Sequence, residues 1–451
     1  MCIPVLGIDI GTTGISAVIL DIQSGRQLFA VTVPNDSAIP SANTWEKTQN
    51  PDRIYSIVIE LLNQSLAAYP QIAAIGITGQ MHGILYIDEN AEACSPLYTW
   101  QDARAGCGNI SVCDIIYAKT GYKISPGYGL ATHLWNLQNG AVPKNARYLI
   151  TVMDHIGMKL CGIRTPLMHS SNAASLGLFD AKQTAFDKAS LNVLKIDTDL
   201  LPQVTAGPCV IGRYRDIPVS IAIGANQASF IGSVTDPDTQ ALCNIGTGSQ
   251  ISVKSNDPIS FTDLSLESRP LYLNQHLLCG SALCGGRAYA ILENFFRSYL
   301  DACGIDAAKQ YDVMNRLASQ ALSESDLPFV QTTFCGTRSD ASLRGSIREL
   351  SEENFTPENL IAATLYGIAA ELYEMYRNLP HQGIKSLILS GNAARNNAVL
   401  REICSKVFAL PVYMPTHTEE AAHGASMFAA RSALLADNFT ALSHCIDYTK
   451  G

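Results

Sequence analysis

The sequence predicts a duplicated α/β protein, with two domains that share one plan. Two observations carry this. The chain has 451 residues, which is more than one ordinary hydrophobic core organises. And two local patterns occur twice, in the same order. Leu6–Ser16 (LGIDIGTTGIS) and Leu242–Ser252 (LCNIGTGSQIS) both read as strand, Gly-Thr turn, strand. The segment AAIGITGQMHG (73–83) is a strand ending in a polar turn, and KSLILSGNAARNNAVL (385–400) repeats it before a helix. Two matched features in matched order favour duplication over chance.

The elements follow in sequence. Val5–Ile10 and Ile15–Asp21 are β-rich and flank Gly11-Thr-Thr-Gly14, and Ser24-Gly25 closes a second hairpin. Residues 51–69 predict a helix, from the spacing of Ile54, Ile57, Val58, Leu61, Leu62 and Leu66. The apolar run Ile217–Ile223 predicts a strand, and IGANQAS (223–229) a sharp polar turn leading into a new element. The stretch SVTDPDTQ (233–240) has turn residues and no apolar period, so it divides 1–235 from 236–451. Ile361, Leu365, Ile368, Leu372, Met375 and Leu379 form one helical stripe, read as core.

Composition narrows the function. Hydrophobic residues make up 47% and charged residues 16%, as in a well-packed globular protein. The net charge is −9 and no dense Lys/Arg run occurs, which argues against nucleic-acid and anionic-membrane partners. The 13 cysteines include no CxxC pair and no zinc spacing, so reduced thiols are expected. No secretory leader and no bilayer-length apolar run is read, which points to the cytoplasm.

Two groups of residues could carry chemistry. A Gly-Thr turn exposes successive backbone N–H groups and a hydroxyl, which suits phosphate oxygens. One such turn reads as an ordinary hairpin; one per half suggests jaws on a polyphosphate. Asp9 lies between Ile8 and Ile10 in an apolar strand beside the first turn. A carboxylate there needs a cation or donors, and Mg²⁺ is the natural partner. The second group is TGQMHG (78–83) with TWQDARAG (99–106), which gathers Gln80, His82, Gln101, Asp102 and Arg104 with Trp100 as an apolar plate. Such a mix of donors and acceptors suits a polyhydroxylated ligand. Singly, each also reads as structural: Asp102 and Arg104 as an ion pair, His82 as a core histidine. There is no GxxxxGK[ST], no GxGxxG between strand and helix, no HExxH and no GxSxG.

These residues resemble the FGGY family of carbohydrate kinases, of the actin-like, ribonuclease H-like ATPase superfamily. GIDIGTTG resembles the family's first phosphate hairpin and NIGTGS the second. GSALCGGRAYAILENFF resembles a nucleotide-side helix, and LSGNAARNNAVLREICSKVFALPV the adenosine-binding strand–turn–helix. FCGTRSDASLRGSI resembles the GxRxPxxxxxxRG segment, with Asp340 where proline is expected, and EEAAHGASMFAA the C-terminal helix. GQMHG and TWQDARA resemble the xylulokinase and sedoheptulokinase branch. GYGLATHLWNLQ, SNAASLGLFD and GANQASF are most similar to sedoheptulokinases.

The resemblance implies two actin-like domains around a cleft, and ATP- and Mg²⁺-dependent phosphorylation of a ketose's terminal hydroxyl. Sedoheptulose leads, with xylulose and ribulose as alternatives. It implies Asp9 for the metal and the reacting phosphoryl group, and Gly11, Thr12, Thr13, Gly246 and Thr247 for phosphates. Gly285, Gly286, Gly391, Asn392 and Asn396 would line the nucleotide side. Gln80, Met81, His82, Trp100, Asp102 and Asn226 would face the sugar. The implied partners are a sugar and a nucleotide, and a homodimer stays open. One position departs from the pattern. Where the family has an Asp that accepts the hydroxyl proton, this chain has Ala225. Its neighbours Gly224, Asn226 and Gln227 are intact, so an introduced change fits better than decay. A natural sugar- and nucleotide-binding pseudokinase is the second reading. Either way the chain as written is expected to turn over slowly.

Overall fold

The computed structural model describes residues 2–451 apart from 109, 262, 264, 325, 338, 339 and 341. The first half opens with an antiparallel meander of β1 (Pro4–Ile10), β2 (Gly14–Asp21) and β3 (Arg26–Pro34). Helix α1 (Pro51–Ala68) follows, capped by the Asn50 side chain on the amides of Asp52 and Arg53. Strand β4 (Ala74–Gly79) then returns parallel to β1. After a long excursion, β5 (Val210–Tyr214), β6 (Ile217–Ser220) and β7 (Ile223–Gly224) complete a seven-stranded sheet. Its order is β5–β6–β4–β1–β2–β3, with β7 also on β4. Helix α2 (Ala225–Ile231) leads out.

The second half repeats this order. Strands β8 (Gln240–Ile245), β9 (Ser249–Ser255), β10 (Leu266–Pro270) and β11 (His276–Ala282) precede helix α3 (Gly286–Ala302). Helix α4 (Pro357–Arg377), strand β12 (Ser386–Ser390), helix α5 (Ala398–Phe408) and strand β13 (Val412–Pro415) come next. Helix α6 (Glu420–Ser432) and edge strand β14 (Tyr448–Lys450) end the chain. The sheet order is β10–β11–β9–β8–β12–β13–β14. In both sheets an antiparallel hairpin leads, and a strand from beyond a helix lies parallel to its first strand. The second half differs by inserting β10 as an extra edge strand ahead of β11.

Burial explains the pattern. Strand β1 is central, so all its residues are buried except Asp9, as expected for a strand covered on both faces. The stripe from Ile361 to Met375 lies on α4 and is core throughout; Leu379, placed on the same helical stripe from spacing, is core too but lies beyond the helix end at Arg377. Helix α6 belongs to the second half in sequence yet crosses the first sheet. It lies so close that a Cβ on Gly7 would sit 1.9 Å from the Ala422 carbonyl oxygen. A Cβ on Gly76 would sit 2.0 Å from that of Ala425.

One local expectation is corrected. IGANQAS contains no turn: strand β7 passes directly into α2, with Gly224 as N-cap at φ −62° and ψ 144°. Any residue adopts that conformation. Glycine is used at 224 for space instead, since a Cβ would meet Gln227 Oε1 at 2.6 Å and Met81 Cε at 2.8 Å.

Candidate active site

Register assembles the site. Asp9 of β1 sits beside Thr78 of β4, and Thr78 beside Ile223 of β7. The Gly11–Thr13 turn, the Gln80–His82 turn and Ala225 at the head of α2 therefore open on one sheet edge. This is where open α/β sheets place ligands. In the second sheet Asn244 of β8 sits beside Ser390 of β12, so the Gly246–Thr247 and Gly391–Asn392 turns share an edge too.

The second-half turns fit each other through backbone contacts. The amide of Gly285 donates to Thr247 O at 3.0 Å, and that of Gly286 to Gly246 O at 2.8 Å. Gly391 has φ 86°, and a Cβ there would lie 2.6 Å from Ile245 O, so only glycine serves. Gly246, Thr247, Gly286, Asn392 and Asn396 border one cavity of about 590 Å³. Across it, Tyr289 stacks near Tyr311 with centroids 6.0 Å apart. Asn315 Oδ1 accepts from Tyr289 Oη at 2.8 Å and from Asn397 Nδ2 at 2.9 Å. Such a cavity, with aromatic and amide walls and glycine turns on its lining, has the volume and the mix of groups that suit a nucleotide.

Asp9 is the charged centre of the first edge. Its Oδ1 is buried with no hydrogen-bond partner among the described residues. Burial, and then the nearby Glu419, push its carboxyl up to about 7. An orphaned carboxylate oxygen beside a phosphate-type turn fits a divalent cation, which would hold it ionised. Glu419 precedes α6 with φ 59°, and its Oε2 accepts from Ser16 Oγ at 2.6 Å.

The sugar-side residues divide. Trp100 is exposed, and its Nε1 donates to Thr12 Oγ1 at 2.9 Å. Thr12 in turn donates to Gln80 Oε1 at 3.2 Å, and Gln80 Nε2 donates to Gln49 Oε1 at 2.7 Å. Gln80 thus braces the phosphate turn against the polar cluster. Met81 is buried against Gly224. His82 has φ 72°, and its Nδ1–H donates to the Ser175 carbonyl at 2.7 Å. Asn226 exchanges amide hydrogen bonds with Gln250 of β9, joining the two halves.

Asp102 is fully buried, and both its oxygens are engaged. Arg104 Nε donates to Oδ1 at 2.7 Å, and Arg104 Nη2 and the Lys47 amide donate to Oδ2 at 3.0 Å each. Arg104 lies 4.2 Å above the Tyr98 ring centroid. In this structure Asp102 therefore supports the loop below the cleft, and the simple ion-pair reading describes it. Ala225 is half-buried at the first position of α2, with only a methyl group facing outward. In the segment 334–347, positions 338, 339 and 341 lie outside the described residues. Asp340 caps a local turn, accepting from the Ser342 amide at 2.8 Å.

Sequence reasoning missed Gln250, Glu267, Arg269, Glu419 and the Tyr289–Tyr311 pair. Gln250 follows the second phosphate motif directly, and its polar side chain in a buried strand was the available signal. The others depend on which distant segments fold together.

Two glycine-turn edges, a cavity lined by aromatic and amide side chains and a carboxylate poised for a cation define a two-domain, actin-like phosphotransferase. Comparisons with known proteins agree. Residues 4–243 match the N-terminal domain of the FGGY family of carbohydrate kinases, and residues 241–433 match its C-terminal domain. The chain belongs to that family, whose members are ATP-dependent sugar phosphotransferases. It is 26% identical to the sedoheptulokinase of Mus musculus, over 94% of this chain and 96% of that one. It is 24% identical to the gluconokinase of Bacillus subtilis, over 98% and 90%. In structure it resembles the gluconate kinase of Lactobacillus acidophilus, with TM-score 0.86, 21% identity and coverage of 100% and 93%. The ligand-bound xylulose kinase of the same organism gives TM-score 0.85 at 21% identity, covering 99% and 93%. No helix among the described residues is long and apolar enough to cross a membrane.

Proposed function

We propose that this chain binds ATP with Mg²⁺ and a ketose, sedoheptulose by preference, for transfer of the γ-phosphoryl group to the sugar's terminal hydroxyl. The observation that carries the reading is the shared strand-end edge. It sets the orphaned Asp9 oxygen, the Gly11–Thr13 turn, the polar Gln80–His82 turn and the head of α2 together. Similarity to sedoheptulokinases over most of both chains supports the choice of sugar.

In this reading Asp9 holds the metal, which when bound would neutralise phosphate charge. Gly11, Thr12 and Thr13 approach the phosphates from one half, and Gly246 and Thr247 from the other. Gly285, Gly286, Gly391, Asn392 and Asn396 line the nucleotide side. His82, Met81, Trp100 and Asn226 face the sugar, and Gln80 sets the turn that presents them. The functional division falls at 1–235 and 236–451. The compartment is the cytoplasm, and the free state of all 13 cysteines suits it.

Ala225 governs the rate. The α2 head offers no carboxylate to take the hydroxyl's proton, so binding should outlast turnover. Calorimetry with ATP·Mg²⁺ and with sedoheptulose, beside coupled ADP release across a ketose panel, tests this. Binding of both ligands with slow turnover is expected. Absence of sugar binding across the panel overturns the ketose reading.

A further inference from the structure

Beside the strand-end edge lies a second, smaller cavity of about 180 Å³. It borders His82, but neither Asp9 nor Ala225 lines it. A ligand seated there would touch neither the Asp9 carboxyl nor the head of α2. Its near wall comes from the first half, with His82, Tyr128 and Ser175. Its far wall comes from β10 of the second half, with Glu267 and Arg269. Strand β10 has no counterpart in the first sheet.

The far wall is built, not incidental. Arg269 is only 7% exposed, and a guanidinium so buried requires a partner. Glu267 Oε2 accepts from Arg269 Nε at 2.8 Å and Nη2 at 2.7 Å. The other oxygen, Oε1, accepts from Tyr128 Oη at 3.2 Å across the domain boundary. The Tyr128 ring lies 4.5 Å from that of His82. His82 is itself pinned by Ser175 in a left-handed backbone conformation. A continuous row of side chains thus runs from the polar turn of the first half to a buried ion pair of the second.

This row offers a carboxylate acceptor, guanidinium donors and a phenol, above apolar Ile124 and Leu178. That is the mixture a polyol needs, since each hydroxyl both gives and takes a hydrogen bond. The volume equals about six waters' share of liquid, at ~30 Å³ each, so it holds several hydroxylated carbons.

We propose that Glu267 and Arg269 are specificity-determining residues, which bind the distal hydroxyls of a ketose and so select chains longer than five carbons. This rests on the ketose-kinase reading above. Tyr128 is the positioning residue that ties this wall to His82. A seven-carbon ketose would then reach the wall, and a five-carbon one would end short of it.

The test is sugar binding by calorimetry, which needs no turnover. Glu267→Gln, Arg269→Lys and Tyr128→Phe are titrated with sedoheptulose, with xylulose and with ATP·Mg²⁺. Charged hydrogen bonds at the wall predict a loss for Glu267→Gln on the order of 10- to 100-fold toward sedoheptulose. Affinity for xylulose and ATP·Mg²⁺ should hold within about twofold. Tyr128→Phe keeps the ring and should lose roughly two- to tenfold, again toward sedoheptulose alone. It serves as the readout if Glu267→Gln does not fold. Equal losses for both sugars would make the row purely structural and overturn the inference, leaving the kinase reading intact. No loss for either would place the distal hydroxyls elsewhere, with the same consequence. If the unsubstituted chain binds neither sugar, the ketose reading fails and takes this inference with it.

Discussion

Replacing Ala225 by Asp should raise the rate of phosphoryl transfer by this chain. Ala225 is the first residue of α2, half-buried on the sheet edge that also carries Asp9. A carboxylate at the first position of a helix faces unpaired amides, which favour its ionised form by roughly 0.3–1 kcal/mol. The new Asp is then charged at neutral pH and ready to accept a proton. A general base contributes about 10²–10⁴-fold, or about 3–5 kcal/mol of barrier at 1.36 kcal/mol per decade. Positioning and electrostatics supply the rest of phosphoryl transfer and are unchanged. Coupled ADP release with sedoheptulose and xylulose should therefore show kcat rising by that factor, with KM for sugar little changed. The gain should appear as pH rises through the ordinary carboxylate range and then level off. If Ala225→Asp binds sugar and nucleotide yet shows no gain with any ketose, the missing-base argument is wrong. A binding-only role would then lead.

Three further outcomes follow from the geometry. Asp9→Asn should abolish the Mg²⁺ dependence of ATP affinity in calorimetry while leaving the fold intact. It should also change how stability depends on pH. The native Asp9 carboxyl keeps its proton up to about 7, whereas the unfolded one releases it near 4, so native stability falls as pH rises through that window, by up to a few kcal/mol. Asn should flatten that decline in urea melts between pH 4 and 8; an unchanged slope would place the charge cost elsewhere. Arg104→Ala should lower unfolding stability by about 3–5 kcal/mol, because it leaves the fully buried Asp102 without its ion pair; a loss below about 1 kcal/mol would show the pair is dispensable. Gly7→Ala should cost roughly 1–3 kcal/mol through overpacking against the Ala422 carbonyl. A neutral result in denaturant titration would mean α6 can lift from the sheet.

Much of this was legible because it is local. The two Gly-Thr turns are readable, since a short turn between apolar strands leaves one backbone solution and puts its amides outward. The α4 stripe reads directly from helical spacing, and every member is core. Asp9 reads as charged in an apolar strand, and its orphaned oxygen follows from that position. The ambiguous readings concern side chains whose partners come from afar. Asp102 and Arg104 sit two residues apart, so spacing alone allows a pair or two separate ligand contacts. What separates the readings is the aromatic box of Tyr98, Trp45 and Trp135, which encloses Arg104 and draws Asp102 in with it. No local period announces that box.

The same reasoning explains why the selecting wall and the reacting edge are of different kinds. The reacting edge is made of strand ends, and both sheets repeat it because the hairpin-plus-parallel-strand plan repeats. Specificity cannot come from what is common to both halves. It must come from what one half has and the other lacks, and β10 with Glu267 and Arg269 is such an element. The first-half partner, Tyr128, likewise lies in the long excursion between β4 and β5, outside the repeated plan. The two insertions meet at the Tyr128–Glu267 hydrogen bond of 3.2 Å, so the residues proposed to read the sugar also bridge the halves. Asn226 and Gln250 bridge them again near Ala225. A substrate long enough to engage the wall would thereby help hold the nucleotide edge against the sugar edge, spending remote binding energy on alignment for transfer. Truncated ketoses should for that reason lose kcat as well as affinity once Asp is restored at position 225. A series of four-, five-, six- and seven-carbon ketoses on the Ala225→Asp enzyme would show kcat climbing with length. A flat kcat with only KM changing would mean the wall binds without aligning.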